Sequence, residues 1–243
     1  MTSARTLATP STQSFPFSRL PLELQAQVLL HCDYFTLKRI QRVCKSFKTL
    51  LDGAMFDKAL FRPTLTPLSQ DELVALAQES GSSSDSALSV HPAIQASRWR
   101  VRDLAEGFLL YDDAPEEYVK YFRLNTLAAR NESATSPAVH GMKVVVRRYG
   151  ARDEEDVLIY EHSEAIEHGY SGAEVRGPIT MAELALTLFK LEFQWKAYVL
   201  DWDGNGISSL LPFPNGFEEV SAELLPDGSA VVTQEIFGYA MDD

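Results

Sequence analysis

The sequence predicts an α+β fold: an N-terminal three-helix hook, then a separate mixed α+β domain with a mainly antiparallel sheet. Three observations lead there. Apolar residues recur at helical spacing from Leu20 to Leu60, then alternate at strand spacing in short runs after Pro137. Charge reverses along the chain: residues 1–62 hold nine Lys/Arg against four Asp/Glu, and the rest holds 13 against 30, for a net charge of −12 over 243 residues. No period of roughly 20–50 residues repeats, which disfavours propellers and solenoids. The boundaries read as a disordered tail over 1–16, the hook over 17–62, a linker with a helical segment over 63–97, and the α+β domain over 98–243.

The tail is rich in Ser and Thr, carries Arg5 and no acid, and lacks the apolar stretch of a secretory leader. In the hook, Pro21 suits a first helical position, where its fixed φ is pre-set and its missing N–H costs nothing. Leu24, Val28, Leu29 and Leu30 follow at helical spacing. Asp33, Tyr34 and Phe35 break the run, and Thr36 is the expected N-cap of the next helix. From Leu37 one helix is expected to carry Ile40, Val43, Cys44, Phe47, Leu50 and Leu51 on one face and Lys38, Arg39, Arg42, Lys45 and Lys48 on the other. Gly53 separates it from a third helix around Met55 to Leu60, which Pro63 stops.

Pro63 and Pro67 mark a linker, followed by a helix over about Gln70 to Gln78 and a flexible polar loop from Gly81 to Ser86. Residues 98–111 and 117–130 are too mixed to assign. Met142–Arg148 and Val157–Glu161 read as strands joined by a charged turn over Gly150–Asp156. Thr180-Met181-Ala182-Glu183 is a capping box that opens a helix through about Phe193. Trp195–Trp202, Glu218–Leu224 and Ala230–Phe237 read as further strands around turns at Asp203–Gly206 and Pro226–Gly228.

Several function classes lose ground on composition. No run approaches roughly 18 uninterrupted apolar residues, so no membrane partner is expected. An acidic body repels phosphates, so nucleic acid is not the expected ligand. Cys32 and Cys44 are the only cysteines and sit among apolar neighbours, which suits a reducing compartment, cytoplasmic or nuclear. Asp201-Trp202-Asp203-Gly204-Asn205-Gly206 begins like a calcium loop, but its twelfth position is Pro212 where a bidentate Glu is needed, so a tight turn is the better reading. His162 and His168 lie among Glu161, Glu164 and Glu167 with no metal-ligand spacing and read as a polar turn; His31, His91 and His140 are isolated. No nucleophile elbow, zinc-helix motif or phosphate-cradling loop occurs. Neither catalysis nor a cofactor is expected.

The run Leu20-Pro21-Leu22-Glu23-Leu24, Val28, Thr36-Leu37 and Val43-Cys44-Lys45-Ser46-Phe47 resembles the F-box, with its spacing kept over about 40 residues. Cys32 stands where that family usually has a larger aliphatic residue, and Phe47 where Trp is common. A hook this short buries too little surface alone, so its apolar positions complete their burial on a partner. The resemblance implies that Leu20, Pro21, Leu24, Val28, Leu37, Val43, Cys44 and Phe47 divide between the hook's core and a Skp-type adaptor interface. It also implies a substrate-recognition subunit of a Skp–cullin–F-box ubiquitin ligase, reaching a cullin through the adaptor and an unknown protein substrate through the α+β domain. Two alternatives accompany this reading: an adaptor-bound scaffold outside ubiquitination, and an enzyme or ligand-binding domain carrying an F-box. The stretch from Ser136-Pro137 through the Thr180 helix is similar to a module of fungal proteins, and this likeness implies no activity.

Overall fold

The computed structural model describes residues 17–63, 66–80, 87–95, 98–100, 109–111, 122–123, 128–152, 155–168, 177–203 and 217–238. The expected tail, the Gly81–Ser86 loop and the Gly204–Gly206 turn residues lie outside them. The chain forms two compact units, Met1–Phe56 and Asp57–Asp243.

In the first unit a 3-10 turn at Phe17–Arg19 leads into α1 (Leu22–Leu30), α2 (Tyr34–Ile40) and α3 (Lys45–Leu51), and a second 3-10 turn spans Ala54–Phe56. Pro21 is the N-cap of α1 rather than its first helical residue, with φ −52° and ψ 146°, so the helix starts one place later than expected. Asp33, not Thr36, caps α2: its carboxylate accepts the Thr36 N–H at 3.0 Å and the Thr36 hydroxyl at 2.6 Å. The helix therefore starts early enough to include Tyr34 and Phe35, where the sequence suggests a break. The single helix expected from Leu37 to Leu51 is two helices. Cys44 is extended (φ −157°, ψ 164°), and the bonds from Arg42 N–H to Arg39 O and from Val43 N–H to Ile40 O tighten the end of α2 before it. Two short helices in series keep the same 3–4 stripe, so periodicity alone misses the break. The expected third helix over Met55 to Leu60 is the short 3-10 turn followed by turns.

The second unit begins with α4 (Gln70–Ser80), β1 (Ser89–Val90) and α5 (Pro92–Gln95). β2 (Arg98–Arg100), β3 (Leu109–Tyr111) and β4 (Phe122–Arg123) pair as an antiparallel trio, and β5 (Thr135–Ser136) pairs with β1. Residues 63–97, read as a linker and helical segment, supply Leu73, Leu88, Val90 and Ile94 to the core of this unit. Their burial defines the segment, despite its Pro- and Ser-rich punctuation.

The main sheet uses β6 (Gly141–Arg152), β7 (Glu155–Glu167), β8 (Phe217–Leu224) and β9 (Ala230–Gly238) in the order β7-β6-β9-β8. Pairing is antiparallel except between β6 and β9, which run parallel. The turn expected over Gly150–Asp156 is mostly strand: β6 and β7 pair through it after a register shift between Arg148 and Tyr149. The polar turn expected around His162 is likewise part of β7.

α6 (Met181–Asp203) opens with the expected capping box, in which the Glu183 carboxylate accepts the Thr180 N–H and the Thr180 hydroxyl, each at 2.8 Å. It runs ten residues beyond the expected end at Phe193, through the segment Trp195–Trp202 that reads as a strand. Met181, Leu184, Leu188 and Leu191 form its buried stripe, and Met142, Val144, Val146 and Val232 of the sheet share the same core.

Candidate docking face of the N-terminal unit

α1 divides sharply into two faces. Gln25, Ala26 and Leu29 are buried, while Leu24 and Val28, one turn apart, are 45% and 48% exposed. Gln25 anchors the entrance to the helix by donating from Nε2 to the Leu20 carbonyl at 2.7 Å. Leu20 is half-buried there and Pro21 exposed. Phe17 and Phe47 meet with ring centroids 5.7 Å apart, which ties the start of the unit to α3 and leaves Phe47 half-buried. Leu37 has no exposed surface and belongs to the interior. Val43, 68% exposed, and Cys44, also exposed, occupy the turn between α2 and α3.

Of the eight predicted site residues, Pro21, Leu24, Val28, Val43 and Cys44 thus present themselves outward, Leu20 and Phe47 are shared, and Leu37 is core. The sequence reading missed four more exposed apolar side chains: Leu22, Leu30, Phe35 and Met55. The signal was available, since Leu22 and Leu30 add apolar residues to a helix already supplied with a packing stripe. A unit this small leaving so many large apolar side chains in water is incomplete by itself.

Charge around this surface is positive. Arg39, Arg42, Lys45 and Lys48 are exposed, and Lys38 lies half-buried with its Nζ 5.3 Å from the Tyr34 ring centroid. The Thr36 hydroxyl and N–H hold the Asp33 carboxyl below its usual range, so the α2 cap stays ionised.

The second unit holds polar clusters of another kind. His91 is buried, with Nδ1 accepting the Ala93 N–H at 3.1 Å and Nε2 3.1 Å from Glu132 Oε2; an acceptor at Nδ1 leaves Nε2 as the donor to the carboxylate. His168 lies 2.8 Å from the Gly177 carbonyl through Nδ1 and 2.9 Å from Glu183 through Nε2, joining the end of β7 to the start of α6. These histidines pair with acids singly. Among the described residues no three His, Cys, Asp or Glu side chains gather where a metal ion could be held, and no helix is long and apolar enough to cross a membrane.

An outward apolar surface on a minimal helical hook defines a docking module that is completed by a partner protein. Residues 17–58 match the family model of the F-box domain. Residues 17–58 are therefore an F-box domain; such domains dock on Skp-type adaptors of cullin ubiquitin ligases, and adaptor binding is the role this match supports. No curated protein and no solved structure matches the chain.

Proposed function

We propose that this protein is the substrate-recognition subunit of a Skp–cullin–F-box ubiquitin ligase, with the F-box holding the adaptor and the second unit holding a protein substrate. The F-box match carries the reading, and the outward Leu24, Val28 and Val43 support it. The mechanism is proximity. The receptor raises the effective concentration of a substrate lysine near the ubiquitin-charged enzyme and performs no bond chemistry itself. Its place of action is the cytoplasm or the nucleus, in keeping with the free thiols of Cys32 and Cys44.

Titration of purified Skp-type adaptor against wild type and the double variant Leu24→Ala, Val28→Ala tests the adaptor half. Both side chains are exposed, so the hook keeps its fold by circular dichroism. Loss of two central apolar anchors costs on the order of 2–4 kcal/mol, about 30- to 1,000-fold in affinity. Wild-type binding that is absent, or unchanged in the double variant, overturns the assignment. Pull-down from cells with wild type and the same variant, read by mass spectrometry, tests the receptor half. Cullin is expected with wild type only, and proteins retained by both forms are substrate candidates.

A further inference from the structure

The main sheet of the second unit has two unlike edges. β8 has β1 and α5 packed beside it. β7, 13 residues long, has β6 on one side and no strand on the other among the described residues. An edge strand presents a row of unpaired N–H and C=O groups, which pairs readily with another extended chain.

The side chains along that edge select the partner. Register with β6 places Glu161, Ser163, Ala165 and Glu167 opposite Arg147, Val145, Lys143 and Gly141, on the face turned away from α6, and all four β7 residues are exposed. Two short side chains thus lie between two carboxylates. The whole strand contains five Asp/Glu and no Lys or Arg. Arg147 fixes Glu161 and Lys190 fixes Glu164, each at 2.7 Å, and an ionised carboxylate has acceptor sites for a second cation. Pairing β7 with the β7 of another copy would set acid against acid, which destabilises a ladder, whereas Lys or Arg at alternate positions of an incoming strand is complementary.

We infer that β7 takes an extended, Lys/Arg-rich segment of the ligase's protein substrate as an added strand. This rests on the receptor reading above. It goes further in naming the chemical class of the substrate and the place where it binds. Backbone pairing supplies the affinity and the carboxylates the selection.

The probe is a fluorescein-labelled peptide of about ten residues alternating Lys with Val or Thr, a length that β7 can pair. Three comparisons accompany it: the same peptide with Glu for Lys, a peptide of equal charge interrupted by Pro, and the full-length variant Glu161→Lys, Glu167→Lys. Anisotropy is expected to show binding of the basic peptide to the full-length protein. Binding falls at least roughly tenfold for the Pro-interrupted peptide, because Pro removes ladder donors, and is lost for the Glu peptide. The charge-reversed variant binds the basic peptide at least roughly tenfold more weakly, since like charges then face each other. Amide exchange in β7 slows on binding. Absence of binding, or equal binding of the continuous and Pro-interrupted basic peptides, overturns strand addition while leaving adaptor titrations untouched. A reporter carrying the basic peptide, offered to the reconstituted ligase, separates the other case: binding without ubiquitination overturns the receptor reading and leaves strand addition standing.

Discussion

Leu37 and Val43 belong to one apolar stripe in the sequence, yet Leu37 is fully buried and Val43 is 68% exposed. Leu37→Ala should therefore destabilise the hook by about 2–5 kcal/mol, seen as a lower thermal midpoint of the helical signal. Val43→Ala should change stability by less than about 0.5 kcal/mol and act on adaptor affinity instead. Spacing showed that both residues matter, but it could not assign them to the interior or the surface, because a hook completed by a partner has apolar side chains on both. Glu183 makes a different residue-scale prediction. Burial pushes its carboxyl up, but hydrogen bonds from the Thr180 N–H and hydroxyl and from His168 outweigh burial and hold it below its ordinary 4.5. A carboxyl depressed in the folded state stabilises above its unfolded pKa and loses that contribution as pH falls through the folded value. Wild type should thus exceed Glu183→Gln in thermal midpoint at neutral pH, with the gap closing below about pH 4.5.

At the scale of elements, local chemistry was more legible than length. The Thr180–Glu183 box marked the start of α6, and Pro226–Gly228 marked the turn between β8 and β9. Gly228 has φ +80°, and an added Cβ would stand 2.7 Å from Gln70 Nε2 and 2.9 Å from Val74 Cγ2, both on α4. Gln70 also donates to the Asp227 carbonyl at 2.7 Å, which fixes α4 against this turn. Gly228→Ala should cost more than about 1 kcal/mol in chemical denaturation, because strain and collision both oppose it. The end of α6 was not legible. Trp195, Tyr198, Val199 and Trp202 belong to residue types enriched in strands, and an aromatic-rich run with no Gly or Pro gives periodicity little to decide with. Gly150 and its charged neighbours misled in the opposite direction: they look like a turn but lie in a ladder continued by the pairing of Gly150 with Val157 and of Arg152 with Glu155.

The whole molecule joins a basic hook to an acidic body, and the asymmetry has a measurable consequence. Replacing Lys38 and Lys45 by Ala should weaken adaptor binding modestly and mainly at low salt, since exposed charges are screened within about 10 Å at 0.1 M. A salt-independent loss in the same titration would mean that these side chains act by packing. Charge reversal and the change of periodicity made the two-part organisation readable from sequence. The strand order was not readable, because β6 and β9 are far apart in the chain and carry no local sign of pairing. That parallel pairing also sets a schedule. β6 lies at the centre of its sheet, yet one of its two neighbours, β9, is synthesised roughly ninety residues later, an interval of about 5–20 s at ordinary rates of translation. During that interval the hook is already outside the ribosome, with its helices local enough to form at once. The nascent chain can therefore be claimed by an adaptor before the main sheet of the second unit is complete, so docking of the hook can precede the folding of everything that follows it.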